Sequence, residues 1–260
     1  MEQKKIIING QSVNYKTFGA GAPVLVLHGW GKGSDAWAEF GILLAKKGYQ
    51  VIIPDLPGFG ESEAPITPWV AADYLRFVEN FVFELELEKI YLIGHSFGGG
   101  LAALVVAHNP ALAKRLILVD AAVVRRERLG LRQQAAKTMA AAKGIFSRLP
   151  FADKLRPLAE KIVYRIAGTH DYQKTNGVMR ETFKNILAED LTSSADFIKI
   201  PTLLVWGDFD DSTPVEDGRE LNRRIGGSIL RLVENCGHNP HVTHTTELVR
   251  VVSEFIKSGN

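Results

Sequence analysis

Sulfur, one-sided charge and long apolar runs are all scarce in this chain. A single cysteine, Cys236, stands among 260 residues. It excludes an intrachain disulfide and any cluster of cysteine metal ligands. Lys and Arg number 31 against 29 Asp and Glu, a formal net charge of +2. That is too small and too dispersed for nucleic acid to be the main partner. No uninterrupted apolar stretch is long enough to span a bilayer. Near the amino terminus the apolar run Ile6-Ile7-Ile8 is three residues long, shorter than a signal-peptide core. The expectation is a soluble cytoplasmic protein with no membrane span.

Apolar residues are plentiful instead, at 46%, enough to bury a sizeable core. They fall in a regular order. A hairpin opens the chain: Lys5 to Ile8, the turn pair Asn9-Gly10, then alternation from Ser12 to Phe18. Continuous apolar runs follow at Pro23-Val24-Leu25-Val26-Leu27, Val51-Ile52-Ile53, Ile90-Tyr91-Leu92-Ile93, Leu116-Ile117-Leu118-Val119 and Thr202-Leu203-Leu204-Val205-Trp206. A last run is Ser228-Ile229-Leu230-Arg231-Leu232. Such runs suit strands buried on both faces of a mainly parallel sheet. Helical spacing lies between them at 36–47, 69–87, 97–108 and 246–257. The pattern predicts an α/β fold, a mostly parallel twisted sheet with helices on both faces.

One region breaks that rhythm. From 121 to 198 there is no buried-strand run, and helical patterns occupy 131–142, 151–166 and 176–187. Residues 121–197 carry 14 Lys and Arg against 8 Asp and Glu, while the rest carries 17 against 21. The reading is a core of 1–120 and 199–260 with a helical lobe, 121–198, inserted after the strand that ends at Asp120. No internal repeat or low-complexity segment is visible.

Chemistry concentrates at Gly94-His95-Ser96-Phe97-Gly98. The pattern G-x-S-x-G alone is weak. Here an apolar strand enters it and a helix leaves it, so the central serine must sit on a sharp strand-to-helix turn. Gly94 and Gly98 let neighbouring chain approach without a Cβ in the way. Ser96 is then raised above the carboxyl ends of the strands, where open α/β sheets bind ligands.

A serine hydroxyl needs a base to become a nucleophile. Among seven histidines, His238 in Cys236-Gly237-His238-Asn239-Pro240 is the best placed, on the loop after the last strand. His241 and His244 are its rivals. His28 and His95 adjoin motif glycines and read as structural, His108 lies on a helix, and His170 lies in the lobe. The base in turn needs a carboxylate to hold its tautomer. The stretch Trp206-Gly207-Asp208-Phe209-Asp210-Asp211-Ser212-Thr213-Pro214 offers three at a strand end, and Asp120 is a fourth. Spacing alone does not separate them.

Taken together these motifs resemble the α/β-hydrolase fold superfamily, in particular its capped, carboxylesterase-like serine hydrolases. The order Ser96, an Asp, then His238 is that family's order, and the resemblance runs over nearly the whole chain. It implies Asp210 as the acid, framed by Gly207 and Pro214, with Asp208 as runner-up and Asp120 at a position some members use instead. His28-Gly29-Trp30-Gly31 is similar to the family's oxyanion loop, which implies backbone N–H donors from Trp30 and Phe97. Asp55-Leu56-Pro57-Gly58-Phe59-Gly60-Glu61-Ser62 resembles a structural turn of the family. The lobe at 121–198 stands where many members carry a cap over the serine, and Tyr164, His170, Tyr172, Met179 and Phe183 are equally candidates for its pocket or for its core.

The resemblance implies hydrolysis of carboxylic esters of small to medium acyl groups, with no metal or organic cofactor. Lactone opening, C–C bond hydrolysis, thioester hydrolysis and acyl transfer use the same triad. Serine at position 96 disfavours the dehalogenase and epoxide-hydrolase branches, which place Asp there. The basic lobe fits an anionic substrate or an acidic acyl-carrier partner, although a solvated helix surface accounts for it better. A non-catalytic ligand-binding protein is the reading of another class. Oligomeric state is not legible.

Overall fold

The computed structural model describes residues 1–125 and 177–258. The helices expected at 131–142 and 151–166, and Tyr164, His170 and Tyr172, lie outside the described residues. Eight strands form one sheet: β1 (Glu2–Ile8), β2 (Gln11–Phe18), β3 (Ala22–Leu27), β4 (Tyr49–Pro54), β5 (Ile90–His95), β6 (Ala113–Val119), β7 (Thr202–Gly207) and β8 (Ile229–Val233). Their order is β1-β2-β4-β3-β5-β6-β7-β8. The first two pairings are antiparallel and the rest parallel. At the opening hairpin Asn9 and Gly10 both take positive φ, 50° and 82°, as a two-residue Asn-Gly turn requires.

Alternation along the strands divides the core in two. Leu25, Leu27, Leu92, Leu116, Leu118, Leu204 and Trp206 point to one face. The first three helices are α1 (Ala38–Ala45), α2 (Ala71–Glu84) and α3 (Phe97–His108); on this face the strands meet Tyr74, Val78 and Phe81 of α2 and Leu101 and Val105 of α3. Val24, Val26, Ile93, Ile117, Val119 and Val205 point to the other face. They pack on Phe40 and Leu44 of α1 and on the closing helix. The remaining helices among the described residues are α4 (Val178–Ala188), α5 (Val215–Arg224), α6 (Pro240–Thr243) and α7 (Thr245–Lys257), and Leu248 and Val252 of α7 complete the second core. Each fully buried aliphatic side chain contributes roughly 1.5–3 kcal/mol.

Two details depart from the pattern. The helix expected over 36–47 is broken into a 3-10 turn, Ser34–Trp37, followed by α1. Trp37 leaves helical geometry, with φ −110° and ψ 6°, and its ring is fully buried against Phe40 and His241. Helix α5 is an addition. Its signals are Pro214 before the first turn, Glu216 and Asp217 in it, and Arg223 and Arg224 in the last.

The topology fixes where a site can form. β3 pairs with β4 on one side and β5 on the other, so the winding reverses there, and the helices that follow the two strands, α1 and α3, pack on opposite faces of the sheet. Crevices at such a reversal are where open sheets bind ligands. His28 to Gly31 leaves β3 and Ser96 leaves β5, both at that crevice. A Cβ on Gly29 would stand 3.3 Å from the Cβ of Ser96.

Candidate active site

Ser96 occupies φ 51°, ψ −118°, a region that L residues avoid. The surrounding bonds hold it there. Its N–H donates to the Val119 carbonyl at 3.1 Å, and its own carbonyl accepts from Gly99, Gly100 and Ala122 at 2.9, 3.0 and 2.9 Å. Two glycines make the turn sterically possible. A Cβ on Gly94 would meet the Gly98 carbonyl oxygen at 2.2 Å, and one on Gly98 would meet the Leu27 carbonyl oxygen at 2.2 Å. The first turn of α3 is thereby pressed against the end of β3.

His238 Nε2 accepts from the Ser96 hydroxyl at 2.9 Å. Its Nδ1–H donates to Asp210 Oδ2 at 2.8 Å. The imidazole is 19% exposed, while the Asp210 carboxylate is fully buried. Burial works against the charge of Asp210. The hydrogen bonds from His238 and Thr213 outweigh it and hold the carboxyl below its ordinary range. Four donors reach that carboxylate: the Ser212 and Thr213 N–H groups at 2.8 and 3.0 Å on Oδ1, and the Thr213 hydroxyl at 2.7 Å and His238 on Oδ2. Thr213 carries no signal in the sequence beyond lying in the same loop.

The other carboxylates are used differently. Asp208 Oδ1 accepts the Cys236 N–H at 3.0 Å and ties the loop after β7 to the loop after β8. Asp211 is exposed, with the Ser212 hydroxyl near it at 3.4 Å. Asp120 is buried beside the site. Its Oδ1 accepts the Gly207 N–H at 2.9 Å, and its Oδ2 has no partner among the described residues. Burial, then the charge of Asp210, pushes its carboxyl up to about 8.

The rival histidines do not reach Ser96. His241 is buried and stacked on Trp37, ring centroids 4.4 Å apart. Burial depresses it to about 3, so it stays neutral. The His244 ring meets the Thr243 hydroxyl at 2.8 Å. His95 has a structural task that its place in the motif hinted at: Nε2–H donates to the His238 carbonyl at 2.7 Å. Burial, then the adjacent imidazoles of His241 and His238, keeps it well below its usual value. The residue before Ser96 thus anchors the loop that carries His238.

His28 braces the other wall. Its Nδ1–H donates to the Gly29 carbonyl at 2.8 Å, and its Nε2 accepts the Leu56 N–H at 3.0 Å. Asp55 is buried and accepts from Asn14, Ser34 and Glu61 at 2.7, 2.5 and 2.9 Å, a purely structural junction. Among the described residues neither the Trp30 nor the Phe97 backbone N–H donates to another group. The Trp30 ring packs on Phe59, Phe97 and Phe183 at 4.8, 5.3 and 4.7 Å. Phe183 and Met179, both buried, come from α4, and Met179 lies against Gly58.

Ligand atoms of His95, Asp120 and His238 lie within 4.8 Å of one another. Both nitrogens of His238 and one of His95 are already committed to hydrogen bonds. The three ligands a catalytic zinc site needs are therefore not free. A groove of about 620 Å³ lined by Glu79, Phe83, Lys89 and Asn109 opens at the amino ends of β5 and β6, the opposite end of the sheet from Ser96.

A strained serine after β5, a bonded histidine after β8 and a crevice at the winding reversal define a class. The description of the alpha/beta hydrolase fold family matches residues 22–245, and the chain belongs to that family. Within it, the chain is 28% identical over 269 residues to the 2-hydroxy-6-oxo-2,4-heptadienoate hydrolase of Pseudomonas putida, covering 97% of this chain and 95% of that one. Its backbone matches an esterase from Exiguobacterium antarcticum with TM-score 0.76 and 22% identity, over 99% and 100% of the two chains. It matches a meta-cleavage product hydrolase from Pseudomonas fluorescens with TM-score 0.72 and 24% identity, over 99% and 98%. These two structural likenesses show the fold. No helix among the described residues is long and apolar enough to cross a membrane.

Proposed function

We propose that this chain is a serine hydrolase that cleaves carboxylic esters of small to medium acyl groups through an acyl-enzyme. The observation that carries the reading is the continuous hydrogen-bond line Ser96–His238–Asp210, at 2.9 and 2.8 Å. Ser96 Oγ attacks the carbonyl carbon as His238 Nε2 takes its proton. The Trp30 and Phe97 N–H groups hold the developing oxyanion, an effect worth roughly 2.7–4 kcal/mol per donor in a comparable site. His238 returns the proton to the leaving alcohol, then activates the water that releases the acid. Asp210 fixes the tautomer and stabilises the imidazolium. No step needs a metal or organic cofactor.

The proposal includes a cap over 121–198, with the core at 1–120 and 199–260. Its support is the return of the chain through α4, whose Phe183 and Met179 lie against Trp30 and Gly58. That lobe would select the substrate.

A second reading has its own support: the full-length likeness to the heptadienoate hydrolase favours hydrolysis of a C–C bond next to a ketone. The same serine, base and oxyanion donors serve it, with a carbon leaving group in place of an alcohol. Turnover of short p-nitrophenyl esters, compared with that of 2-hydroxy-6-oxodienoates, separates the two. Fluorophosphonate labelling of wild type but not of S96A is expected under both. Absence of labelling, with wild type and S96A equally inert on every substrate, overturns both and leaves a ligand-binding protein.

A further inference from the structure

We propose that the Asp120 carboxyl is a positioning group: a neutral acid that donates a hydrogen bond to the Asp210 carboxylate and so holds that carboxylate on His238. The inference rests on the Ser96–His238–Asp210 reading above.

Donor counting carries it. Asp120 and Asp210 are both buried and flank the same groups: Gly207 donates its N–H to Asp120 Oδ1 at 2.9 Å and accepts the Asp210 N–H at 3.2 Å, and His238, whose Nδ1 meets Asp210 Oδ2 at 2.8 Å, has a ring nitrogen within 4.8 Å of an Asp120 oxygen. Two carboxylates in contact cannot both ionise at neutral pH. Asp210 receives four donors. Asp120 receives one, from Gly207, on Oδ1. Its Oδ2 is sealed from solvent with no partner among the described residues. A buried anionic oxygen without donors is costly, whereas an O–H there has an acceptor in Asp210. The proton therefore belongs on Asp120, the direction in which burial and the Asp210 charge also push it.

The surroundings agree. The titratable groups around Asp120 are His95 at the end of β5, Asp208 and Asp210 after β7, and Cys236 and His238 after β8. His241 of α6 lies behind His95, ring centroids 4.4 Å apart. His95 and His241 are kept neutral by burial, so neither supplies a positive charge to an ionised Asp120. The four donors already fill about four lone-pair sites of Asp210. The Thr213 hydroxyl makes room: its single proton can turn from Asp210 Oδ2 to the Asp120 carbonyl at 3.1 Å, leaving Asp210 with the Ser212 and Thr213 N–H groups, His238 and the Asp120 O–H.

The donor fixes the Asp210 oxygens and makes them less basic, so that His238 keeps its Nδ1 proton. When Asp120 loses its proton, the donor is replaced by a like charge and the carboxylate is pushed off the imidazole. Asparagine preserves the arrangement: its Oδ1 accepts from Gly207 and its Nδ2–H donates to Asp210.

The test compares kcat/KM for p-nitrophenyl acetate from roughly pH 6 to pH 10 in wild type, D120N, D120A and D210N, with S96A as the blank. D120A is expected to fall by about tenfold or more at neutral pH. D120N is expected to recover most of that loss and to lack the decline that wild type shows above about pH 8. Wild type minus D120N infrared spectra are expected to show a protonated carboxyl band at neutral pH that gives way to carboxylate bands as the pH is raised. That readout stands even if D120A fails to fold. No such band, a D120N as slow as D120A, or an alkaline decline that D120N retains would each overturn the proposal. A dead D120N beside an active D210N overturns it in favour of Asp120 as the acid. A wild type no faster than S96A instead removes the triad reading on which the proposal rests.

Discussion

The backbone at Ser96 makes a prediction whose sign is unusual. Replacing alanine by glycine ordinarily destabilises a protein by about 0.5–1 kcal/mol, because glycine loses more freedom on folding. At residue 96 the order should reverse. With φ 51° and ψ −118°, any residue bearing a Cβ stores about 1–3 kcal/mol of strain, and glycine stores almost none. S96G and S96A both lose the hydroxyl and its bond to His238, so those terms cancel between them. The difference that remains favours S96G by about 0.5–2 kcal/mol. For a chain of this size that is a rise in Tm of roughly 1–4 °C. Calorimetry or urea unfolding of the two variants measures it, and both must fail to label with a fluorophosphonate. If S96A proves as stable as S96G or more so, the backbone is not strained and the account of how the serine is presented fails.

Other perturbations test the remaining parts. Asp210→Asn should lower kcat by about 10³–10⁴-fold through a misplaced tautomer, and Asp208→Asn by far less, because Asp208 ties Cys236; steady-state kinetics giving the reverse ranking would overturn Asp210 as the acid. Gly98→Ala drives a Cβ into the Leu27 carbonyl and should cost about 1–3 kcal/mol or more with loss of activity, while Gly226→Ala, with open space around it, should leave Tm nearly unchanged. Asp120 also gives stability a pH dependence. Its folded pKa is raised to about 8, so between about pH 4 and pH 8 the folded state holds a proton that the unfolded chain releases, and stability falls as pH rises through that window. D120N removes this slope, so its advantage over wild type should grow with pH by at most about 1.4 kcal/mol per unit and level off above pH 8; parallel stability curves from denaturant titrations would contradict the assignment.

Much of this architecture was legible from one-dimensional pattern. The continuous apolar runs became β3 to β7 because strands covered on both faces admit few polar residues, and Asn9-Gly10 made its turn; the last run became β8, an edge strand on which Ile229 and Leu232 stay exposed, so its burial on both faces is not observed. The Ser96 motif was readable because its glycines answer a steric demand that shows in residue identity. Asp210 could be picked out only by the family's frame. Spacing did not distinguish it from Asp208, since what separates them is which carboxylate the loop turns toward His238. Thr213 was invisible for the same reason: its hydroxyl matters through a contact that no periodicity encodes. Asp120 was recognised as a strand-end acid, but its shared burial with Asp210 arises from pairing β6 with β7, a tertiary fact. Helix α5 has legible end signals, but charged residues crowd its sequence and mask its apolar spacing.

The geometry of the Ser96–His238 contact has a kinetic corollary. The two residues are 142 positions apart, and between them lie β6, β7, β8 and everything inserted among them. Nearest-neighbour strand pairing cannot bring them together early, and closing such a loop is slow compared with forming α3 or the opening hairpin. During refolding, helix signals should therefore recover first and hydrolase activity last. The Ser96–His238 contact thus reports completed folding of the whole sheet, since it forms only once β6, β7 and β8 are in place.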